Sequence, residues 1–257
     1  MICIIGALKE EISGIIRHIA VREKNQIGAA TFYKGLNKNK EIIIVRSGVG
    51  QFPAQRAASD AVKRFPLQCI ISVGFVGGVV SELKISDLIL PEKIFYCDNE
   101  ESLFHFNKVF LSQIVNLCDY GDRIKKILTE NGIRFKSGNI VSVNRVADSV
   151  KFKEWLGKNY PVIGVEMETA SIAKVAAQNG VLFFSLRVVS DEVSHAIIRT
   201  DRFLNKKGQI NKLVAGYYLL SHPFIIQRLI ELKKNSTKAA KTLTEAVLKI
   251  INNAEIH

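Results

Sequence analysis

The chain has 257 residues, 47% of them hydrophobic, and a formal net charge of +12; that suits one sizeable domain with a proper core, and no apolar run nears the ~20 residues a bilayer span needs. The opening MICIIGALKEE has no basic segment ahead of its apolar stretch, which argues against a signal peptide. Cys3, Cys69, Cys97 and Cys118 show no CxxC or Cys/His metal spacing, and they read as buried free thiols of a cytoplasmic protein.

Short apolar runs predict strands buried on both faces. In chain order, a strand over 2–6 ends at Gly6, and a helix over 8–20 follows. Glu10 and Glu11 stand in its first turn, where the helix dipole favours acids. Segments 28–34 and 40–46 read as a hairpin turning at Asn37-Lys38-Asn39. Ser47-Gly48-Val49-Gly50 then opens a helix over 52–64. A strand over 68–74 stops at the glycine-rich turn Gly74–Gly78, and a short strand over 86–90 ends at Pro91. Residues 95–118 follow no single pattern. A helix over 121–131 comes next, then strands over 138–143 and 162–165. A helix over 167–178 is closed by Asn179-Gly180. The strand 182–189 ends at Ser190-Asp191, and the remainder is helical with an interruption at Pro223.

Alternating strands and helices predict an α/β fold: a three-layer α/β/α domain with a central mixed sheet over residues 1–200. In such folds ligands sit at the carboxyl ends of the strands. Residues 201–257 form a basic helical extension. From Arg202 onward it holds ten Lys or Arg against three acids. Its apolar positions include Tyr217, Leu220, Phe224, Leu229 and Ile230. They suit packing on the core, a subunit interface or a peripheral place on an anionic inner-membrane face. The basic residues lack interleaved stacking aromatics, which argues against a nucleic-acid partner.

The glycine turns match neither GxGxxG nor GxxxxGK[ST]. Five clusters at predicted strand and helix ends nevertheless run in a telling order: IIGALKEEI, VRSGVGQFPAQRA, GFVGGVVSELKISDLILPE, GVEMETASIA and LRVVSDEV. Together they resemble the nucleoside phosphorylase/nucleosidase superfamily, and within it the methylthioadenosine/S-adenosylhomocysteine nucleosidases. The GFVGG turn and the tail FLNKKGQINKLVAGYYLLSHPFIIQRLIELKKN also resemble the hopanoid-associated phosphorylases of that superfamily.

The resemblance implies cleavage of the N-glycosidic bond of a purine nucleoside. Asp191 matches the acid that protonates purine N7, relieving a poor leaving group of its charge. Ser190 would orient Asp191 or the base. Glu168 matches the carboxylate that binds both ribose hydroxyls, and Met167 would pack on the ribose. Glu11 matches the acid that activates water. Gly74, Phe75 and Val146 would line the base side. Phe75 stands where the nucleosidases commonly have Ser, and 143–147 lacks their stacking aromatic, so adenine specificity stays open. Arg46, Ser47, Gly48 and Arg187 are open between an anion site and structural ion pairing. His195 reads as an exposed loop residue or a residue of the site entrance.

Glu11 would repel phosphate, which favours hydrolysis over phosphorolysis. No metal or cofactor is implied, with phosphate as co-substrate under the second reading. Three functions follow from these residues: an enzyme for lipid-linked adenosine, a nucleosidase for small soluble methylthioadenosine or S-adenosylhomocysteine, and a non-catalytic nucleoside-binding relative. A homo-oligomer is expected by resemblance.

Overall fold

In the computed structural model, residues 1–97, 111–116, 118–194 and 223–253 are described. The elements are β1 (Ile2–Gly6), α1 (Lys9–Ile16), β2 (Ala20–Ile27), β3 (Ala30–Asn37), β4 (Lys40–Arg46), α2 (Gln51–Arg64), β5 (Cys69–Gly78) and β6 (Leu88–Cys97). They continue with β7 (Leu111–Asn116), α3 (Cys118–Glu130), β8 (Phe135–Ser142), α4 (Val150–Asn159), β9 (Gly164–Glu166), α5 (Thr169–Gln178), β10 (Leu182–Asp191) and α6 (Pro223–Asn253).

All the described strands join one mixed sheet, and β1 shows why it is sandwiched. Ile2 and Ile4 point into one core, with Ile12, Ile15, Leu243 and Val247 from helices α1 and α6. Cys3 and Ile5 point into the other, with Ala54, Ala57, Ala58 and Ala61 of α2 and Ile172 and Val175 of α5. A period-2 strand that is apolar at every position has to be covered on both faces. The expected α/β architecture with helical layers about a central mixed sheet is therefore present.

The sheet also does something the linear pattern does not foretell. From β5 the order runs β1, β4, β3, β2 on one side. On the other, β5 pairs with both β10 and β9, β10 pairs with β6, β6 with β8, and β8 with β9. These five strands close a ring. Closure draws the ends of β5, β9 and β10 together.

Several predicted bounds change. β5 does not stop at Gly74 but continues through Gly78, because β10 and β9 flank it and satisfy its backbone. β6 runs through Pro91, whose missing N–H falls at a register shift between Pro91 and Ile94. β2 was not predicted. It is a charged edge strand, AVREKNQI, exposed at seven of its eight positions, so it carries no alternating pattern. Helix α4 was also not predicted, since VKFKEWLGKN is too short and too basic to show a clear stripe.

Pro223 begins a single helix of 31 residues. Ala239, Leu243, Ala246, Val247, Ile250 and Ile251 form a buried stripe on it, which packs against α1 and β10. The part of the predicted helical tail that precedes Pro223, and His195, lie outside the described residues.

Candidate active site

One cavity of about 250 Å³ opens where the ring strands end. Glu11, Phe75, Val146, Met167, Glu168, Ser190 and Asp191 all line it. Residues separated by up to 180 positions thus converge through β1, β5, β9 and β10.

Glu11 is buried in the first turn of α1. Its Oε2 accepts hydrogen bonds from the backbone N–H of Ala7 (2.7 Å) and of Leu8 (2.8 Å). Its Oε1 accepts one from Phe75 N–H at 2.8 Å. The side chain therefore serves the helix start and the cavity wall together. Burial raises its proton affinity, against the lowering pull of Arg187 and these three N–H groups, and the net direction is upward. That makes it a stronger base than an exposed glutamate. Glu10, its neighbour, faces solvent.

Glu168 occupies the N-cap of α5 but makes no side-chain cap. Its Oε1 accepts instead from Gly50 N–H at 2.8 Å, across the cavity wall in the Ser47–Gly50 loop. Burial first, then the negative charges of Glu166 and Glu11, push it from 4.5 up to about 8, with Arg187 pulling the other way. The neighbouring Glu166, which sequence reasoning passed over, is the carboxylate that organises this corner. It accepts from the N–H of Glu168 and Thr169, each at 2.9 Å, and from the Ser142 hydroxyl. It also pairs with Arg187 at 3.2 Å. The VEME repeat was the available signal for it.

Arg187 is buried at 1% exposure. Its Nη2 donates to Ser72 Oγ at 2.7 Å as well as facing Glu166. Between the two readings left open for it, the geometry is that of an internal ion pair. Gly74 does not line the cavity. A Cβ there would run into Arg187 Nη1 and stand 2.8 Å from Glu11 Oε1, so the missing side chain is what lets the guanidinium pass behind the wall.

Arg46, Ser47 and Gly48 do not line the cavity either. Arg46 Nη2 donates to Thr31 Oγ1 at 3.0 Å on the adjacent strand. Ser47 Oγ donates to Gly48 O at 2.9 Å. Among the described residues Arg145 is the basic one that lines it, and it is exposed.

Asp191 ends β10 and is 5% exposed. Ser190 Oγ donates to its Oδ1 at 2.7 Å. Its Oδ2 faces the ammonium of Lys153, a residue absent from the sequence reading because its helix was. Among the described residues no cluster of three or more His, Cys, Asp and Glu side chains is arranged to hold a metal ion, and no helix is long and apolar enough to cross a membrane.

A family model described as "Phosphorylase superfamily" matches residues 1–216. The chain is 32% identical over 211 residues to an aminodeoxyfutalosine nucleosidase of Helicobacter pylori, covering 80% of this chain and 92% of that protein. It is 26% identical over 212 residues to a 5'-methylthioadenosine/S-adenosylhomocysteine nucleosidase of Staphylococcus aureus, covering 80% and 93%. The solved futalosine hydrolase of H. pylori superposes with a TM-score of 0.76 at 25% identity, over 98% of this chain and 97% of that one. An H. pylori nucleosidase mutant with 5'-methylthioadenosine in its active site superposes at 0.71 and 27% identity, over 96% and 97%.

Proposed function

The chain belongs to the phosphorylase superfamily, and from that premise we propose that it hydrolyses the N-glycosidic bond of a purine nucleoside carrying an apolar 5′ substituent. Its class is that of an enzyme, a nucleosidase or nucleoside phosphorylase; bond cleavage is its chemistry, and the nucleophile and the substituent are the finer reading. The observation that carries hydrolysis is Glu11. It is a buried carboxylate of raised proton affinity on the same cavity as Asp191 and Glu168. A carboxylate there suits water, whose proton it can take, and opposes a phosphate dianion. Arg46, Ser47 and Gly48, the residues a phosphate would want, lie off the cavity, and Arg187 is spent on Glu166.

Each step then has a residue. Asp191 protonates N7 as the C1′–N9 bond opens, with Ser190 holding its other oxygen. Glu168 accepts from the ribose hydroxyls and stabilises the oxocarbenium-like sugar. Glu11 takes the proton of the attacking water. Met167 supports the sugar face, and Phe75 and Val146 the base.

The rim supports an apolar 5′ group. Leu8 and Val49 line the cavity and are 38% and 49% exposed, and Leu232 of α6 joins them. Methylthio- and lipid-linked adenosine both meet that description. The lipid-linked form draws on the tail, whose described apolar stripe turns inward to the core instead of outward. That favours the small soluble nucleosides. We also propose a homo-oligomer, in which a second copy covers Phe52, 80% exposed at the start of α2.

The test is release of free base from adenosine, methylthioadenosine and a 5′-lipidated adenosine, each with and without phosphate. We expect release from methylthioadenosine at a rate that phosphate does not change. Strict dependence on phosphate would turn the reading to phosphorolysis, and absence of release from all three would remove the catalytic reading.

A further inference from the structure

A lysine with no exposed surface is the least expected group in the molecule. Lys153 is 0% exposed, in the first turn of α4. Its ammonium faces Asp191 Oδ2, and it donates to the backbone oxygen of Glu192 at 3.3 Å. It does not line the cavity, whereas Asp191 does. Both members of the pair press on Gly77, a cavity residue: a Cβ there would stand 3.1 Å from Asp191 Oδ2 and 3.5 Å from Lys153 Cε. The carboxyl oxygen that meets the lysine is therefore the one beside the cavity wall. The other is held by Ser190.

A buried lysine and aspartate together carry one transferable proton. With that proton on nitrogen the pair is ammonium and carboxylate; with it on oxygen the pair is amine and carboxylic acid. Neither arrangement leaves net charge on the buried pair, so moving the proton between them avoids the penalty of an isolated buried ion.

We propose that Lys153 is a positioning residue that stores the proton Asp191 delivers to the leaving base. This rests on the assignment of Asp191 as the acid. As C1′–N9 breaks, its electron pair goes to the base. An Nζ–H bond of Lys153 breaks and an O–H bond forms at Asp191 Oδ2. That O–H bond then breaks as the N7–H bond forms. Lys153 is left as a neutral amine and Asp191 as a carboxylate. Water adds to C1′ and its proton goes to Glu11. Glu11 returns that proton to solvent, and Lys153 takes one back from solvent.

The experiment separates leaving groups that need a proton from one that does not. Wild type, Lys153→Met, Lys153→Arg and Asp191→Asn are assayed on methylthioadenosine and on 4-nitrophenyl β-D-riboside, whose nitrophenolate departs as a stable anion. For Lys153→Met we expect a fall in kcat on the nucleoside of about 10²-fold, the low end for general acid catalysis, with less than about a threefold change on the nitrophenyl riboside. Lys153→Arg keeps the charge but does not release a proton, so it should stay as slow as Lys153→Met. Equal losses on both substrates, or recovery to near wild type with arginine, overturn the storage role. Thermal melts confirm that each variant is folded. If Lys153→Met is not, Lys153→Gln, which retains a donor to Asp191, replaces it, and a failure of all three to fold makes the role structural and ends the proposal. Asp191→Asn tells the two readings apart. If it does not lose nucleoside cleavage selectively, the assignment of Asp191 fails. If it does and Lys153→Met resembles wild type, only the storage role fails.

Discussion

Four carboxylates cluster in this site, and each has a different environment. Glu166 is saturated by two backbone N–H groups, a hydroxyl and Arg187. Glu11 has three N–H donors, Asp191 has Ser190 and Lys153, and Glu168 has Gly50 N–H. Burial first, then the negative charges of Glu166 and Glu11, push Glu168 from 4.5 up to about 8. In the unfolded chain it ionises near 4.5, so between these values the folded protein binds the extra proton. Its contribution therefore makes stability fall as pH rises from about 4.5 through about 8. Thermal melts of the unliganded protein across that range should show the decline, and Glu168→Gln should flatten it while abolishing ribose recognition. Asp191→Asn should lower kcat on a nucleoside by about 10²- to 10⁴-fold with the fold intact; a fully active variant would remove Asp191 from the chemistry.

At the scale of elements, the informative one is β5. Its glycines look like a turn in sequence but are strand, and their lack of side chains makes room for Arg187 behind Gly74 and Asp191 beside Gly77. Gly74→Ala places a methyl group against both Arg187 and Glu11. We expect it to displace the guanidinium and cost activity by at least about tenfold, the ~1.4 kcal/mol that a small misplacement of a catalytic group readily exceeds. Kinetics at saturating substrate, beside a melt to confirm folding, measure this. Helix α4 makes the converse point: a short basic segment without a visible stripe delivers a fully buried lysine to the acid.

For the whole molecule, α6 is part of the core. Its stripe from Ala239 to Ile251 covers Ile12, Ile15, Leu186 and Val188. Ending the chain at residue 222 would uncover that apolar surface. The truncated protein should lose solubility and its cooperative melt, measured by the soluble fraction and calorimetry; a well-folded, soluble truncation would show the helix to be an accessory. The outcome also bears on the membrane reading of the tail, because the stripe from Ala239 to Ile251 is used in the core and is not offered to lipid.

The sequence by itself determined the strand-helix alternation, the double-sided burial of β1, β4 and β5, and the residues that carry the family resemblance, Glu11, Met167, Glu168 and Asp191 among them. Those signals are local: a period of two, a glycine, an acid beside a strand end. Tertiary structure decided what depends on distant partners. Closure of the ring brought β5, β9 and β10 to one cavity. Pairing on both sides turned a glycine-rich turn into strand. Arg187 became the partner of Glu166, and Lys153 that of Asp191. A charge's role follows from which opposite charge shares its desolvated space, and spacing along the chain carries no record of that.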